Sequence, residues 1–204
     1  MNAESSLKPT VDLKQRLFFR FAHPVSPTLV FGPLALLLFV LSYDLQARSW
    51  YSATALILGG VLVWTLIEYV LHRFVFHLVQ VKEPWKTIAS GLHMAHHRDT
   101  EVKNLIIAPP LVSLLFSLPI FAILLAFTWN VSTALLLHSG VLIGYIAYEW
   151  CHYGAHQYNS SFPLFRYLKR YHLQHHFKHP HGTFGVTTPM WDYLFGTAYK
   201  PKRA

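Results

Sequence analysis

Four apolar stretches decide which solvent this chain can fold in. They run at about 28–43, 53–71, 105–129 and 131–151, each near the ~20 residues that carry an α-helix across ~30 Å of hydrocarbon. A helix satisfies its backbone polar groups internally, so the sequence predicts an all-α integral membrane protein with about four transmembrane helices. The first stretch is short. Trp129-Asn130-Val131-Ser132 joins the third to the fourth and leaves room only for a tight hairpin. Pro109, Pro110 and Pro119 predict a kink or break in the third, or the first two mark its true start. Residues 28–204 read as one membrane-embedded domain after an amino-terminal segment at 1–27 that has no signal-peptide core.

Charge gives an orientation. Of the Lys and Arg residues, four lie before the first span, five in 72–104 and seven from 152 onward; the 44–52 loop has only Arg48 and the third-to-fourth hairpin has none. By the positive-inside rule both termini and the 72–104 loop are expected in the cytoplasm. The formal net charge of +8 then points to anionic membrane lipids as the partner, and nucleic acid is not expected. Leu13–Phe21 and Phe162–Tyr171 interleave aromatics with bases as headgroup-layer helices do; packing helices under a cytoplasmic cap are the equal alternative for the second. The single cysteine, Cys151, excludes an internal disulfide.

Fourteen histidines outnumber nine carboxylates. Ten of them form four clusters: His72 with His77, His93 with His96 and His97, His152 with His156, and His172 with His175 and His176. On a helix, His152 and His156 point about 40° apart, and each triplet spans an arc of about 100°. Each triplet therefore aims at one region without having to serve one ion. His72 and His77 diverge by about 140° on a regular helix, so they serve different ions or the helix unwinds between them. All four clusters fall on the side expected to be cytoplasmic.

Ten neutral imidazoles at a membrane face lack partners, and ten charged ones repel. Metal ligation resolves both problems, because neutral imidazole is a common donor for iron, copper and zinc. Structural zinc closes with four ligands, usually including cysteine. Ten histidines divide into five for each of two ions, with positions left for oxygen or water. His23, His138, His179 and His181 lack this spacing and read as ordinary core or surface residues. Glu68 and Glu149 precede His72 and His152 by one turn, where each is expected to accept the far N–H of a ligating imidazole. A salt bridge, for instance from Glu68 to Arg73, is the competing role.

At these residues the chain resembles the fatty acid hydroxylase/sterol desaturase superfamily, and within it the fatty acid 2-hydroxylases. Leu66-Ile67-Glu68-Tyr69 leading into His72–His77 resembles the family's first box. Leu92–Arg98, followed by Pro109-Pro110, is similar to the second, and Phe184–Thr197 to its carboxy-terminal signature. The resemblance covers roughly 60–200. It implies that all ten box histidines ligate two iron ions, with zinc able to occupy the site in isolated protein. It also implies O2-dependent hydroxylation of a fatty acyl lipid at carbon 2, as free acid or within a ceramide or other sphingolipid. Many relatives carry a fused haem domain. His23-Pro24-Val25-Ser26 departs from that domain's motif, so no haem is expected here, and electrons would come from a separate cytochrome-, ferredoxin- or flavoprotein-type donor. The membrane would be the cell membrane, or the endoplasmic reticulum in a eukaryote.

Tyr145 and Tyr148, on the turns before His152, are candidates to line the site, although helix packing is the commoner role. Trp191-Asp192-Tyr193 either closes the site, with Asp192 bonding a histidine, or docks the tail; docking is favoured. A carotenoid hydroxylase or a sterol desaturase or oxidase would share the metal site. A metal transporter would place ionisable residues along a mid-membrane path, whereas here only His138 lies mid-span.

Overall fold

The computed structural model describes residues 22–77 and 92–200. The expectation for Leu13–Phe21 lies outside them. Among the described residues the secondary structure is helical, without strands. Helix α1 is Ser26–Leu45, α2 Trp50–Leu71, α3 Leu92–Arg98, α4 Lys103–Ile106, α5 Pro110–Thr128, α6 Val131–Gln157, α7 Pro163–Phe177 and α8 Met190–Leu194. Alpha-helical rise makes α1, α2, α5 and α6 about 28–40 Å long, and all four are apolar enough to cross a membrane.

The continuous helix of the third span begins later than its apolar run. Pro109 is the N-cap and Pro110 the first residue of α5, because proline suits the first turn, where its missing N–H has no intrahelical partner. Residues 105–108 therefore precede α5, with Leu105, Ile106 and Ile107 buried, while the membrane-capable stretch as a whole is Lys103–Thr128, in line with the apolar run. The fourth span runs past 151 to Gln157, so His152 and His156 sit on the same continuous helix as the membrane segment. Asn130 caps it, accepting from the Thr133 N–H at 2.8 Å, and Trp129 turns the hairpin at φ 49°.

Helix α6 is the central post. Of its most apolar window 61% is buried, against 17–22% for the other three spans, which turn leucine, isoleucine and phenylalanine outward. Hydrophobic drive is absent between helices in lipid, so close packing and hydrogen bonds hold the bundle together. Ser132 and Ser139 of α6 donate to the Ser42 and Ala35 carbonyls of α1 at 3.0 and 2.9 Å. A Cβ built on Gly60 of α2 would lie 2.0 Å from the Leu137 oxygen and 2.9 Å from the Gly140 Cα of α6. Glycine at 60 and 140 is what lets these two backbones touch.

Beyond the spans, α7 folds across one end of the bundle. Its Tyr171, His172 and His175 are buried, while Leu164 and Tyr167, and Phe162 just before it, stay exposed. The 182–198 tail packs against α2, where the Trp191 indole donates to Thr65 at 2.9 Å.

Candidate metal centre

All ten clustered histidines meet at that end, in two groups of five. One group is His72, His77, His93, His97 and His175; the other is His96, His152, His156, His172 and His176. Within each group the ligating nitrogens lie within 4.8 Å of one another. His23, His138, His179 and His181 belong to neither group.

Helical spacing produces this sorting. The i, i+4 pairs His93/His97, His152/His156 and His172/His176 each stay in one group, as residues about 40° apart on one face should. The middle histidines of the triplets, His96 and His175, cross to the other group. Each group thus receives two pairs and one crossing residue. His72 and His77, five residues apart, reach the same group because α2 continues as a π-helical turn over His72–Phe76. The i→i+5 closure swings residues five apart toward one side, so of the two alternatives it is the unwinding that occurs.

The nitrogen spacings match what an ion requires. His93 Nε2 lies 3.0, 3.1 and 2.9 Å from the Nε2 atoms of His72, His77 and His97. His175 Nε2 lies 3.0 and 3.1 Å from those of His77 and His97. In the second group His96–His152, His96–His156, His156–His172 and His172–His176 are separated by 3.0, 3.1, 2.9 and 3.0 Å. One N–H cannot satisfy three facing lone pairs. Two nitrogens at right angles around an ion, each at about 2.1 Å, stand about 3.0 Å apart. Five such donors fit a metal ion that keeps a further position open.

Burial, reinforced by neighbouring imidazoles, holds these rings neutral. His77 and His97 are pushed down to about 3 and His175 to about 4. His93, His96, His172 and His176 are held well below the ordinary histidine value for the same reasons. Neutral imidazole is the metal-binding form.

The polar groups behind the histidines differ from expectation. Glu68 accepts from the Val186 and Thr187 N–H groups, at 2.5 and 3.0 Å, and from the Thr187 hydroxyl. It fastens the tail to α2 and has no bond to His72. Glu149 accepts from the Ala108 N–H at 3.4 Å, and its other oxygen has no partner among the described residues. Neither carboxylate bonds a histidine. Backbone carbonyls stand behind two of the rings: His175 Nδ1 faces the Gly182 oxygen at 2.7 Å, and His72 Nδ1 faces that of Phe184, whereas His152 Nδ1 has no partner among the described residues.

Asp192 builds that loop. Its oxygens accept from the N–H groups of Phe184 and Gly185 at 2.9 and 2.8 Å and from the Thr197 hydroxyl at 2.7 Å. It thus docks the tail, as favoured, and acts on the histidines only through the carbonyls it positions. Thr183 sits between the two carbonyls at φ 57°, uncommon for a β-branched residue. A Cβ at Gly185 would lie 2.0 Å from the Thr188 oxygen. Sequence reading did not single out Gly182 or Phe184, because a backbone acceptor carries no residue signature; the glycines at 182 and 185 are its only trace.

An apolar cavity of about 110 Å³ runs from the histidines down among α1, α2, α5 and α6. His93, His96 and His152 line one end, and Ser117, Ile120 and Val141 lie farthest down. Tyr145 and Tyr148 both line it, and Ser113 and the Tyr145 hydroxyl are 2.7 Å apart.

The sequence profile described as fatty acid hydroxylase matches residues 57–197. A dihydroceramide fatty acyl 2-hydroxylase of Arabidopsis thaliana is 36% identical over 166 residues, covering 80% of this chain and 69% of that protein. A ceramide very long chain fatty acid hydroxylase of Saccharomyces cerevisiae is 34% identical, covering 91% of this chain and 50% of that protein. Human fatty acid 2-hydroxylase is 30% identical over 68% of this chain and 38% of its own length. The chain therefore spans between about a third and two thirds of these curated relatives. Among solved structures, the visible hydroxylase domain of full-length scs7p superposes with a TM-score of 0.82 at 29% identity, covering 94% of this chain and 72% of that one.

Proposed function

Since the chain belongs to the fatty acid hydroxylase family, we propose that it hydroxylates a lipid acyl chain at carbon 2, at a centre of two iron ions held five histidines to each. The observation that carries this reading is the apolar cavity that ends on the histidines. A hydrocarbon chain lowered into it presents its carboxyl-side carbons to both groups at once.

His72, His77, His93, His97 and His175 would hold one ion, and His96, His152, His156, His172 and His176 the other. Bound iron supplies the O2 activation that an unactivated C–H bond requires. One oxygen atom enters the C–H bond and the other leaves as water, with two electrons and two protons from a separate cytochrome-, ferredoxin- or flavoprotein-type donor. The chain's own residues bind, orient and exclude water. The apolar wall fixes the acyl chain so that few of its carbons can reach the centre. Tyr145 and Tyr148 form the wall nearest His152, and the Gly182 and Phe184 carbonyls hold His175 and His72 in one tautomer. The substrate is a free fatty acid or an acyl chain within a ceramide-like lipid. In this reading the chain is multi-pass, with both termini and the metal centre on the cytoplasmic side, as the Lys and Arg distribution supports.

Expression in a host without 2-hydroxylated lipids, followed by lipid mass spectrometry, tests the reading. The expected result is 2-hydroxy acyl chains that vanish in His172→Ala, with about two irons per chain in the purified wild type. Unchanged acyl lipids alongside altered carotenoids or sterols would move the assignment to another substrate class.

A further inference from the structure

The acyl cavity has a floor, and the floor is built from two different helix contacts. On the side of α2 and α6 the deepest lining residues are Trp64 and Val141. Directly beneath them Gly60 and Gly140 bring the two backbones together, so closely that a Cβ on either would overlap the other helix. No chain can pass between α2 and α6 at that level. On the side of α5 and α6 the deepest lining residues are Ser117 and Ile120. There Ser117 Oγ lies 2.9 Å from His138 Nε2, and the Phe121 ring stands 5.4 Å from the His138 ring, centroid to centroid. His138 is only 4% exposed. A polar bond inside hydrocarbon ties α5 to α6 there, one turn below Val141 and Leu142 of the cavity wall.

The depth above that floor follows from helix geometry. Between His152 and Val141 the wall descends α6 by eleven residues (152 − 141 = 11), or about 16 Å at 1.5 Å per residue. An extended chain advances about 1.2 Å per bond, so about 13 bonds fit. We propose that the Ser117–His138 pair, with the Gly60–Gly140 contact, acts as a ruler that selects acyl chains of about 14–16 carbons. Very long acyl chains, the kind named for the yeast relative, would meet the floor before their carbon 2 reached the histidines. His138 is thus a specificity-determining residue of a site it does not touch. The inference rests on the cavity being the acyl tunnel of the proposed reaction.

The test pairs two readouts on wild type, His138→Ala and Val141→Phe. The first is the chain-length distribution of 2-hydroxy acids in cells supplied with saturated fatty acids of about 10–24 carbons. The second is the thermal shift of the purified protein with the same acids, which needs no turnover. Wild type is expected to peak at about 14–16 carbons in both. His138→Ala deepens the cavity and moves the peak about two carbons longer, and Val141→Phe raises the floor and moves it about two carbons shorter. Opposite shifts support the ruler, and either variant suffices if the other does not fold. A wild-type peak at 20 carbons or more, a flat thermal series, or an unmoved peak in the folded variants overturns it. If wild type forms no 2-hydroxy acid at any length, the proposed reaction fails while the thermal series still reads the floor.

Discussion

Asp192 holds the backbone N–H of Phe184 at 2.9 Å, and the carbonyl of that same residue faces Nδ1 of His72. A carboxylate in the carboxy-terminal tail therefore reaches the histidine that follows α2 through one residue. Asp192→Ala leaves two buried N–H groups unpaired, those of Phe184 and Gly185, and frees the carbonyls on which His72 and His175 lean. Outer partners of metal-binding histidines are typically worth about 10–100-fold in metal affinity. We expect a loss of that order in Asp192→Ala, read by competitive chelation on protein that still inserts into membranes.

Glu149→Gln should behave in the opposite way. Glu149 bonds the Ala108 N–H and no histidine, and the amide oxygen of glutamine can keep that bond. Metal content in Glu149→Gln is expected to match wild type when measured by elemental analysis. A drop to one ion per chain or fewer would restore a direct role behind His152.

Glu68→Ala should loosen the tail rather than strip a ligand. Three donors converge on Glu68: the Val186 and Thr187 N–H groups and the Thr187 hydroxyl. Orphaning a buried donor costs about 1–3 kcal/mol, so a clear fall in Tm is expected. Faster proteolytic cleavage near 184–189 should accompany it.

Acid should destabilise the metal-free protein through the same histidines that are proposed to bind metal. His77 and His97 are held at about 3 and His175 at about 4, against an ordinary value of 6.5. Between those values the unfolded chain binds protons that the folded chain refuses, so stability rises with pH across the window. It is complete above about 6.5 and declines as pH falls toward 4. Thermal melts of apo protein from pH 8 to pH 4 should show Tm falling through that window, and metal loading should push the fall to lower pH.

The sequence revealed the parts of this site that depend on local spacing. His152 and His156 share a helix face whatever surrounds them, and the triplets split as their 100° arcs allow. The four apolar runs likewise announced four spans, and Pro109-Pro110 marked one true boundary. What stayed hidden depends on segments far apart in the chain. The π-turn after Leu71 shows in the sequence only as one of two alternatives left open by the five-residue spacing of His72 and His77. The partner of His72 is a carbonyl 112 residues away, and Glu68, which local spacing assigned to His72, serves a tail that no periodicity could bring to it. The cavity floor at Ser117 and His138 joins two helices through residues that read singly as ordinary packing.

His96 and His97 are adjacent in sequence yet face different groups, and that divergence gives the most discriminating test of a two-ion centre. His96 Nε2 stands 3.0 Å from that of His152, and His97 Nε2 stands 2.9 Å from that of His93. Each alanine variant removes one donor of five from one group and leaves the other group complete. His96→Ala and His97→Ala are therefore each expected to retain about one tightly bound ion per chain and to weaken the other about 10-fold or more. The double variant should weaken both. Direct metal analysis after graded chelation separates the cases, because independent groups give two steps whose order reverses between the single variants. Loss of both ions together in each single variant would mean that the ten histidines bind metal as one unit.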